Sequence, residues 1–363
     1  MSDPGEFQRS PRANPDLIGH ESAEATLLSA WNSGKLPHAW LIAGPRGIGK
    51  ATLAYRFARF VLAEGAKPQG DSLFGAPAQP SSIALSPADP IYRRVASGGH
   101  SDMSVAECTV HPKTGKMRSE IPVDDVRGVV QFLHMTPAEG AWRVVVVDAA
   151  DEMNTEGANA LLKALEEPPP QALLLLVTHA AGRLLPTIRS RCRMLFLQPL
   201  PEAKVVTLLS RYRPEIPGDE RAVLASLSDG SIGRAMDLAD RGGAELYREV
   251  LALVADLPKL DALAVQRFAD QLARGGEDAA ASLRTALDLM GGLVHRLAKS
   301  AAGQPAALPE EHALAARAAA RGAQAWVQAW ERIGRLGSAA EGLNLDRKQT
   351  ILAAFGALQQ AAA

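Results

Sequence analysis

Short apolar runs recur along the first two hundred positions, and each is followed by a turn or by helical spacing. The runs cover residues 38–43, 144–147, 173–177 and 194–197. Two of them, 144–147 and 173–177, are apolar on both faces, which is typical of parallel strands covered by helices. Residues 101–110 are compatible with a further strand. The pattern predicts an α/β domain with a parallel sheet up to about residue 200.

Helical periodicity fills the stretches between these runs. Residues 51–63 predict a helix directly after the first run, and 123–133 predict another whose apolar side chains share one face. Residues 159–167 predict a third helix, which the prolines at 168–170 stop because proline cannot continue the backbone hydrogen bonds. Glycine, proline and serine over 64–88 predict a loop or a flexible insert.

Strand signals stop after Pro201, and the rest of the chain has helical spacing. The sequence predicts three short helices, at 202–213, 218–227 and 231–241. Ala- and Leu-rich helices follow, and the last of them starts at 344–346. The chain is therefore predicted to contain four segments: a flexible tail at 1–16, the α/β domain at 17–200, a three-helix segment at 201–243 and a helical segment at 244–363.

Composition narrows the class of protein. The chain has 363 residues, 47% of them hydrophobic, and its 39 basic and 40 acidic side chains leave a net charge of −1. This balance argues against a protein that binds nucleic acid alone through a broad basic face. Residues 1–14 lack the apolar core of a signal peptide, and no apolar run reaches the ~18 residues of a membrane helix. We therefore expect a cytoplasmic protein without membrane contacts.

A glycine-rich loop follows the first predicted strand. Residues 44–50 match the phosphate-binding pattern G-x-x-x-x-G-K-[ST] up to the lysine. The glycines let the chain turn tightly, and Lys50 with the backbone N–H groups could hold phosphates. The pattern fails at Ala51, which lacks the hydroxyl that should contact Mg²⁺. The candidate nucleotide-binding residues are Gly44, Gly47, Gly49, Lys50, Thr52 and Asp148.

ATP hydrolysis needs Mg²⁺ between the β- and γ-phosphates, with that missing hydroxyl as one ligand. Thr52 comes one residue late, and helix geometry turns it about 100° away. Asp148 ends a predicted strand, where a second magnesium contact belongs. The sequence leaves open ATP or ADP bound without productive Mg²⁺, or a loop that serves only as a turn.

Several motifs resemble those of one family. The Ser-Arg-Cys segment at 190–192 is similar to the Ser-Arg-Cys motif of AAA+ clamp-loader subunits. The predicted helix and proline turn at 159–169 are similar to the helix that precedes that motif. Further matching positions, in the family's order within 17–200, are 18–21, 36–39, 123–127 and Gly140. The chain thus resembles the AAA+ clamp-loader family.

The resemblance implies both a fold and an assembly. The fold would be a RecA-like AAA+ P-loop domain with a small three-helix lid, followed by an all-α collar. The collar would join the chain to other clamp-loader subunits, delta and gamma/tau, in a heteropentamer. Such an assembly loads the sliding clamp on primed DNA as a component of the DNA polymerase III holoenzyme, which places the chain in the bacterial cytoplasm at the replisome.

The chain also departs from active members of this family. Active members carry Glu directly after the strand-end acid to orient water, and here Ala149 stands there. Glu152 lies about 10 Å further along an extended chain, too far for a base, and we interpret it and Asp151 as a solvated helix start. Active members also carry a lid arginine in a Gly-Ser-x-Arg pattern. Gly233 takes its place here, and we interpret Arg234, one position later, as a surface residue.

Arg191 does not follow this pattern of loss. The resemblance implies that it reaches the nucleotide of a neighbouring subunit as an arginine finger, the catalytic role that we assign to it. A fixed charge with a planar donor fork suits a developing phosphoryl charge, and such a finger is worth ~10³–10⁵ in rate. The competing interpretation, a structural ion pair, applies better to Arg189 and Arg193.

The other candidate side chains have simpler interpretations. Several family members carry a four-cysteine zinc module, but this chain has only Cys108 and Cys192. We therefore predict no metal and no zinc, and interpret both cysteines as small buried residues. Glu166 and Glu167 either face a neighbouring subunit or solvate the end of their helix.

We interpret the chain as a non-hydrolysing, stator-like clamp-loader subunit that donates Arg191 in trans. It is predicted to have no ATPase activity alone. Two alternatives remain at this stage. One is an active AAA+ ATPase of the gamma/tau kind, which would need replacements for the groups missing at Ala51 and Ala149. The other is an interaction scaffold that binds no nucleotide.

Overall fold

The computed structural model describes residues 10–67, 79–113, 115–274, 278–304, 308–343 and 345–363. The chain divides into two compact units, Met1–Lys204 and Val205–Ala363. The first unit contains a parallel sheet with helices on both faces. The described part of the second unit is built from helices. This is the predicted fold class, an α/β P-loop domain followed by an all-α region.

The sheet of the first unit has five parallel strands. They are β1 (Ala39–Ala43), β2 (Met103–Glu107), β3 (Arg143–Asp148), β4 (Ala172–Thr178) and β5 (Arg193–Phe196). They lie side by side in the order β2-β3-β4-β1-β5. Ala43 pairs with Thr178, and Asp148 pairs with Val177. The carboxyl ends of the three central strands therefore meet at one edge, where ligands bind in open α/β sheets.

Helices cover both faces of this sheet. They are α1 (Glu21–Asn32), α2 (Lys50–Gly65), α3 (Pro90–Ala96), α4 (Val123–Leu133), α5 (Thr155–Glu166) and α6 (Pro186–Arg189). Alternate side chains of β1 enter two different apolar clusters. Trp40 packs in the cluster that contains Phe57 of α2, whereas Leu41 packs in the cluster that contains Leu161 of α5. Both faces are buried, which explains why the central strands are apolar between their end residues.

The sequence did not predict α3, although it carries a clear start signal. Asp89 precedes the helix and accepts a hydrogen bond from the backbone N–H of Ile91 at 2.7 Å. Pro90 occupies the first helical position, where its missing N–H costs nothing. Residues 79–88 of the predicted insert contain no helix or strand, and 68–78 lie outside the described residues.

Helices follow one another from Glu202 to the end of the chain. They are α7 (Glu202–Tyr212), α8 (Gly218–Leu227), α9 (Ile232–Asp240), α10 (Gly243–Val254), α11 (Ala262–Ala273), α12 (Asp278–Ala301), α13 (His312–Arg321), α14 (Ala323–Leu343) and α15 (Arg347–Ala362). The three short helices predicted after Pro201 are confirmed as α7, α8 and α9. Asp346 caps α15 by accepting the N–H of Gln349 at 2.8 Å. The division into a lid at 201–243 and a collar at 244–363 stays a prediction.

A buried ion pair lies inside the helical unit. Glu311 is fully buried, and its carboxylate accepts from Nε of Arg296 at 2.8 Å. Arg296 also donates from Nη2 to the hydroxyl of Tyr247 at 2.9 Å, and that hydroxyl donates to Glu311. Each polar group of this triad therefore has a partner, as burial requires.

The start of the described chain packs against the first unit. Arg59 of α2 is buried and donates to the carbonyl oxygens of Arg12 at 2.9 Å and Asn14 at 3.1 Å. The hydroxyl of Tyr92 donates to the carbonyl oxygen of Ala13 at 2.6 Å. Residues 10–16 therefore differ from the flexible tail that the polar sequence of 1–16 predicts, and 1–9 lie outside the described residues.

Candidate functional site

The glycine-rich loop joins β1 to α2 and has the backbone that its glycines predict. Gly44 has a φ of 154°, and a Cβ there would come within 2.5 Å of the carbonyl oxygen of Leu197. Gly47 and Gly49 have φ values of 76° and 104°, a region that other residues rarely adopt. The loop ends at the start of α2, where helix geometry leaves N–H groups without helical partners. This backbone fits a phosphate group.

The lysine of the loop is turned back onto the loop itself. Lys50 is only 3% exposed, and its Nζ donates to the carbonyl oxygen of Pro45 at 2.5 Å. Burial lowers the pKa of Lys50 to about 8, although the charges of Asp148 and Asp151 oppose the shift. A phosphate bound in the loop would have to compete with Pro45 for this amine.

Asp148 stands at the carboxyl end of β3, as predicted. Burial raises its pKa to about 6, and the negative charge of Glu107 on the neighbouring strand adds to this, whereas Lys50 opposes it. Ala51 supplies no oxygen, and Thr52 is buried on α2 at 7% exposure. The site therefore keeps a carboxylate at Asp148 and lacks the hydroxyl ligand for Mg²⁺ that hydrolysis needs.

The prediction of a solvated helix start after Asp148 is wrong. Asp151 and Glu152 lie in a 3-10 turn that begins at Ala150, but both are half-buried and paired. Asp151 accepts the backbone N–H of His179 at 2.9 Å. Burial alone would raise the pKa of Asp151, but hydrogen bonds from His179 and the side chain of Thr178 outweigh it and lower the pKa. These contacts hold the turn against the end of β4.

The carboxylate of Glu152 is already engaged by two other side chains, so it is not free to act as a base. Its carboxylate accepts from the thiol of Cys108 at 3.2 Å and lies 3.9 Å from Arg46 of the loop. Burial, together with the hydrogen bond to Glu152, raises the pKa of Cys108 to about 12. Cys108 is therefore half-buried and partnered rather than fully buried, whereas Cys192 is buried as predicted.

Sequence reasoning missed a histidine that supports the loop. His20 is 4% exposed, and its Nε2–H donates to the carbonyl oxygen of Ile48 at 2.6 Å. Burial lowers the pKa of His20, although this hydrogen bond opposes the shift. The segment 18–21 matched a family motif, but nothing in the sequence alone indicated that its histidine contacts the loop.

Arg191 lies at the amino-terminal end of the strands, whereas the loop lies at their carboxyl end. It precedes β5 by two residues, and Arg193 at the start of β5 pairs with Trp40 near the start of β1. From Trp40 to Gly44 a strand advances about 13 Å. Arg191 therefore does not share a site with the phosphate loop of its own chain.

The Arg191 side chain is held in place by its surroundings. Its Nη2 lies 2.7 Å from Oε1 of Glu166, and its Nη1 donates to the carbonyl oxygen of Thr187 at 3.0 Å. The prediction that an ion pair suits Arg189 and Arg193 better than Arg191 is therefore wrong. The Arg191 side chain nevertheless keeps 35% of its surface exposed.

Residues 19–201 match the family described as DNA polymerase III, delta subunit. The chain belongs to this delta-subunit family. The DNA polymerase III subunit delta' of Pseudomonas aeruginosa is similar to it, with 37% identity over 223 residues, 61% of this chain and 62% of that protein. The subunit delta' of Escherichia coli K12 is 36% identical over 214 residues, 58% of this chain and 57% of that protein. The chain spans about three-fifths of the length of these relatives.

This chain is also similar to proteins that are named as gamma or gamma/tau subunits. A DNA polymerase III subunit gamma/tau of Mycobacterium bovis is 31% identical over 201 residues, 55% of this chain and 31% of that protein. Among solved structures, a gamma subunit-related protein of Thermotoga maritima matches with a TM-score of 0.39 at 18% identity. The match covers 93% of this chain and 100% of that one.

Arg234, at the position after the expected lid arginine, pairs with Asp229 on its own unit. Among the described residues, no three His, Cys, Asp or Glu side chains group in a way that could hold a metal ion. Within the same residues, no helix is both long and apolar enough to cross a membrane.

Proposed function

We propose that this chain is a non-hydrolysing, delta-prime-like subunit of the DNA polymerase III clamp loader. In this role it assembles with delta and gamma/tau subunits in a heteropentamer that places the sliding clamp on primed DNA. Membership of the delta-subunit family and the similarity to two delta' subunits support the assignment to the loader. The family likeness does not by itself indicate whether the chain hydrolyses ATP.

The observation that carries the proposal is that the phosphate loop and Arg191 lie at opposite ends of the strands of the sheet. At the carboxyl end of the strands, Ala51 stands where the hydroxyl ligand for magnesium is expected, and Ala149 stands where the base is expected. The lysine of the loop is already bound to Pro45. At the other end, Arg191 stays partly exposed and away from this loop. An arginine placed there serves a phosphate on another subunit, so we propose that Arg191 is an arginine finger in trans.

The test compares the isolated chain with the assembled loader. We expect the purified chain to hydrolyse ATP at background rates. In the complex assembled with the loader subunits of its own organism, Arg191→Ala should reduce the DNA-stimulated ATP turnover without changing the mass of the complex. Arg189→Ala, two residues away, is the matched control. Unchanged turnover in the Arg191 variant would remove the finger from the proposal.

The similarity to a gamma/tau subunit favours one second candidate, an active ATPase. A nucleotide titration of the isolated chain separates the two. Tight binding that depends on Mg²⁺, with turnover that Lys50→Ala abolishes, would support the active ATPase. Weak binding that is indifferent to Mg²⁺ would support the non-hydrolysing subunit, and no binding would support the interaction scaffold that binds no nucleotide.

A further inference from the structure

Glu166 occupies a position that helix stability does not explain. It is the last residue of α5, and Glu167 follows as the cap. The carboxyl end of a helix carries partial negative charge, so an acidic side chain there is unfavourable. Half of the Glu166 side chain is exposed, and an exposed ion pair adds little to folding stability. A reason other than stability is therefore needed for this carboxylate.

The contacts of Glu166 point to Arg191. Oε1 of Glu166 lies 2.7 Å from Nη2 of Arg191. On the other side of the guanidinium, Nη1 is held at 3.0 Å by the carbonyl oxygen of Thr187 and at 3.5 Å by Oγ of Ser190. The planar group is thus fixed at both of its terminal nitrogens, by the end of α5 and by the turn of α6.

This grip leaves part of the guanidinium available. An arginine has five N–H donors in a rigid fork. Within the described part of the chain, the hydrogen bonds and the ion pair of Arg191 engage only its two terminal nitrogens. Nε–H and the one remaining N–H of Nη2 can therefore donate to phosphate oxygens while the side chain stays anchored.

We propose that Glu166 is a positioning residue that orients the Arg191 guanidinium towards the nucleotide of the neighbouring subunit. The inference rests on the proposed role of Arg191 as a finger. An arginine side chain loses considerable rotamer freedom when it binds in one fixed orientation. Glu166 and Thr187 already hold the Arg191 side chain in place, so this entropy cost does not arise again when the neighbour's phosphate binds. Glu166 itself touches neither substrate nor the reacting atoms.

The experiment measures ATP turnover in the assembled loader with Glu166→Ala, Glu166→Gln and the control Glu167→Ala. Glu167 is the adjacent exposed acid, and its side chain forms no ion pair within the described residues. The rotamer entropy that an arginine side chain loses when it is fixed corresponds to a factor of about 10 to 30 in rate. We therefore expect Glu166→Ala to lower kcat by about that factor at the site that Arg191 serves, with KM for ATP and the mass of the complex unchanged.

The two further variants separate positioning from other roles. Glu166→Gln keeps an oxygen acceptor in place, so it should recover most of the lost turnover, and Glu167→Ala should behave as wild type. Combining Glu166→Ala with Arg191→Ala should add nothing to Arg191→Ala alone, since Glu166 acts only through Arg191.

The outcomes distinguish this inference from the function on which it rests. If Arg191→Ala lowers turnover and Glu166→Ala does not, the positioning role is refuted and the finger stands. A rise in turnover with Glu166→Ala would also refute it, because the pair would then restrain the arginine. If Arg191→Ala has no effect, both the finger and the positioning role are refuted.

Discussion

Two aspartates, Asp148 at the end of β3 and Asp151 in the turn that follows, are predicted to have opposite effects on stability. Folding raises the pKa of Asp148 from its ordinary 3.8 to about 6, chiefly because the carboxylate is buried. Folding lowers the pKa of Asp151, because hydrogen bonds from His179 and Thr178 outweigh its burial. The isosteric changes Asp148→Asn and Asp151→Asn remove the charge at each position in turn. We expect the first to stabilise the first unit at neutral pH and the second to destabilise it.

The magnitude for Asp148 follows from linkage. A raised pKa means that the folded state prefers the protonated carboxyl, so its contribution to stability is fully present below pH 3.8 and is lost as the pH rises through 6. The charged carboxylate therefore costs about 3 kcal/mol at about pH 7.5 and about 1 kcal/mol at about pH 4.5. This figure already includes the attraction to Lys50, which opposes the shift. Because the Asn amide is itself a polar group that is costly to bury, we expect a net gain of about 1–2 kcal/mol at about pH 7.5 that shrinks in acid.

For Asp151 the sign is reversed. A lowered pKa contributes stability above the ordinary value of 3.8, and that stability is lost as the pH falls through the folded pKa. Asp151→Asn should therefore be less stable than wild type at neutral pH, and the difference should fade in acid.

The assay is hydrogen exchange of the β3 peptide, read by mass spectrometry and corrected for the intrinsic rate at each pH. It reports the opening free energy of the sheet even where the two units unfold separately. A shift of both variants in the same direction, or a gain for Asp148→Asn that does not shrink between about pH 7.5 and 4.5, would refute the reasoning.

Three further changes test the packing of the chain. Glu311→Gln leaves the buried Arg296 without its counter-charge, so we expect a loss of about 3–5 kcal/mol in urea unfolding of the second unit; a loss under about 1 kcal/mol would contradict the assigned triad. Gly44→Ala places a Cβ against the carbonyl oxygen of Leu197, and the strain should cost about 1–3 kcal/mol, seen as a melting temperature lower by several degrees. Arg59→Met removes the donors that hold residues 10–16, so limited proteolysis should cut this segment faster, while an unchanged rate would show that other contacts hold it.

Periodic signals predicted most of the fold. The helix over 123–133 has the predicted bounds. Its periodicity was a reliable signal because Val126, Val129 and Leu133 are buried on one face. The pattern of the loop predicted its positive φ angles, because the backbone demand is local to the glycines. Sequence patterns of this kind report on neighbours within a few residues.

Contacts between distant positions could not be predicted in the same way. Polar composition indicated a free tail at 1–16, whereas Arg59, more than forty residues away, anchors residues 10–16. The Glu166–Arg191 pair depends on α5 and α6 ending at the same edge of the sheet. No periodicity encodes such pairings.

The hydrogen bond from Lys50 to Pro45 has a consequence for how the subunit responds to the energy state of the cell. Any nucleotide must first displace an internal ligand, so its apparent affinity is reduced by the fraction of loops that are open. A chain closed in this way should offer the same surfaces to its neighbours whether ATP is plentiful or scarce. In the proposed role, we expect this chain to be insensitive to the ATP/ADP ratio, while the neighbouring subunits respond to it.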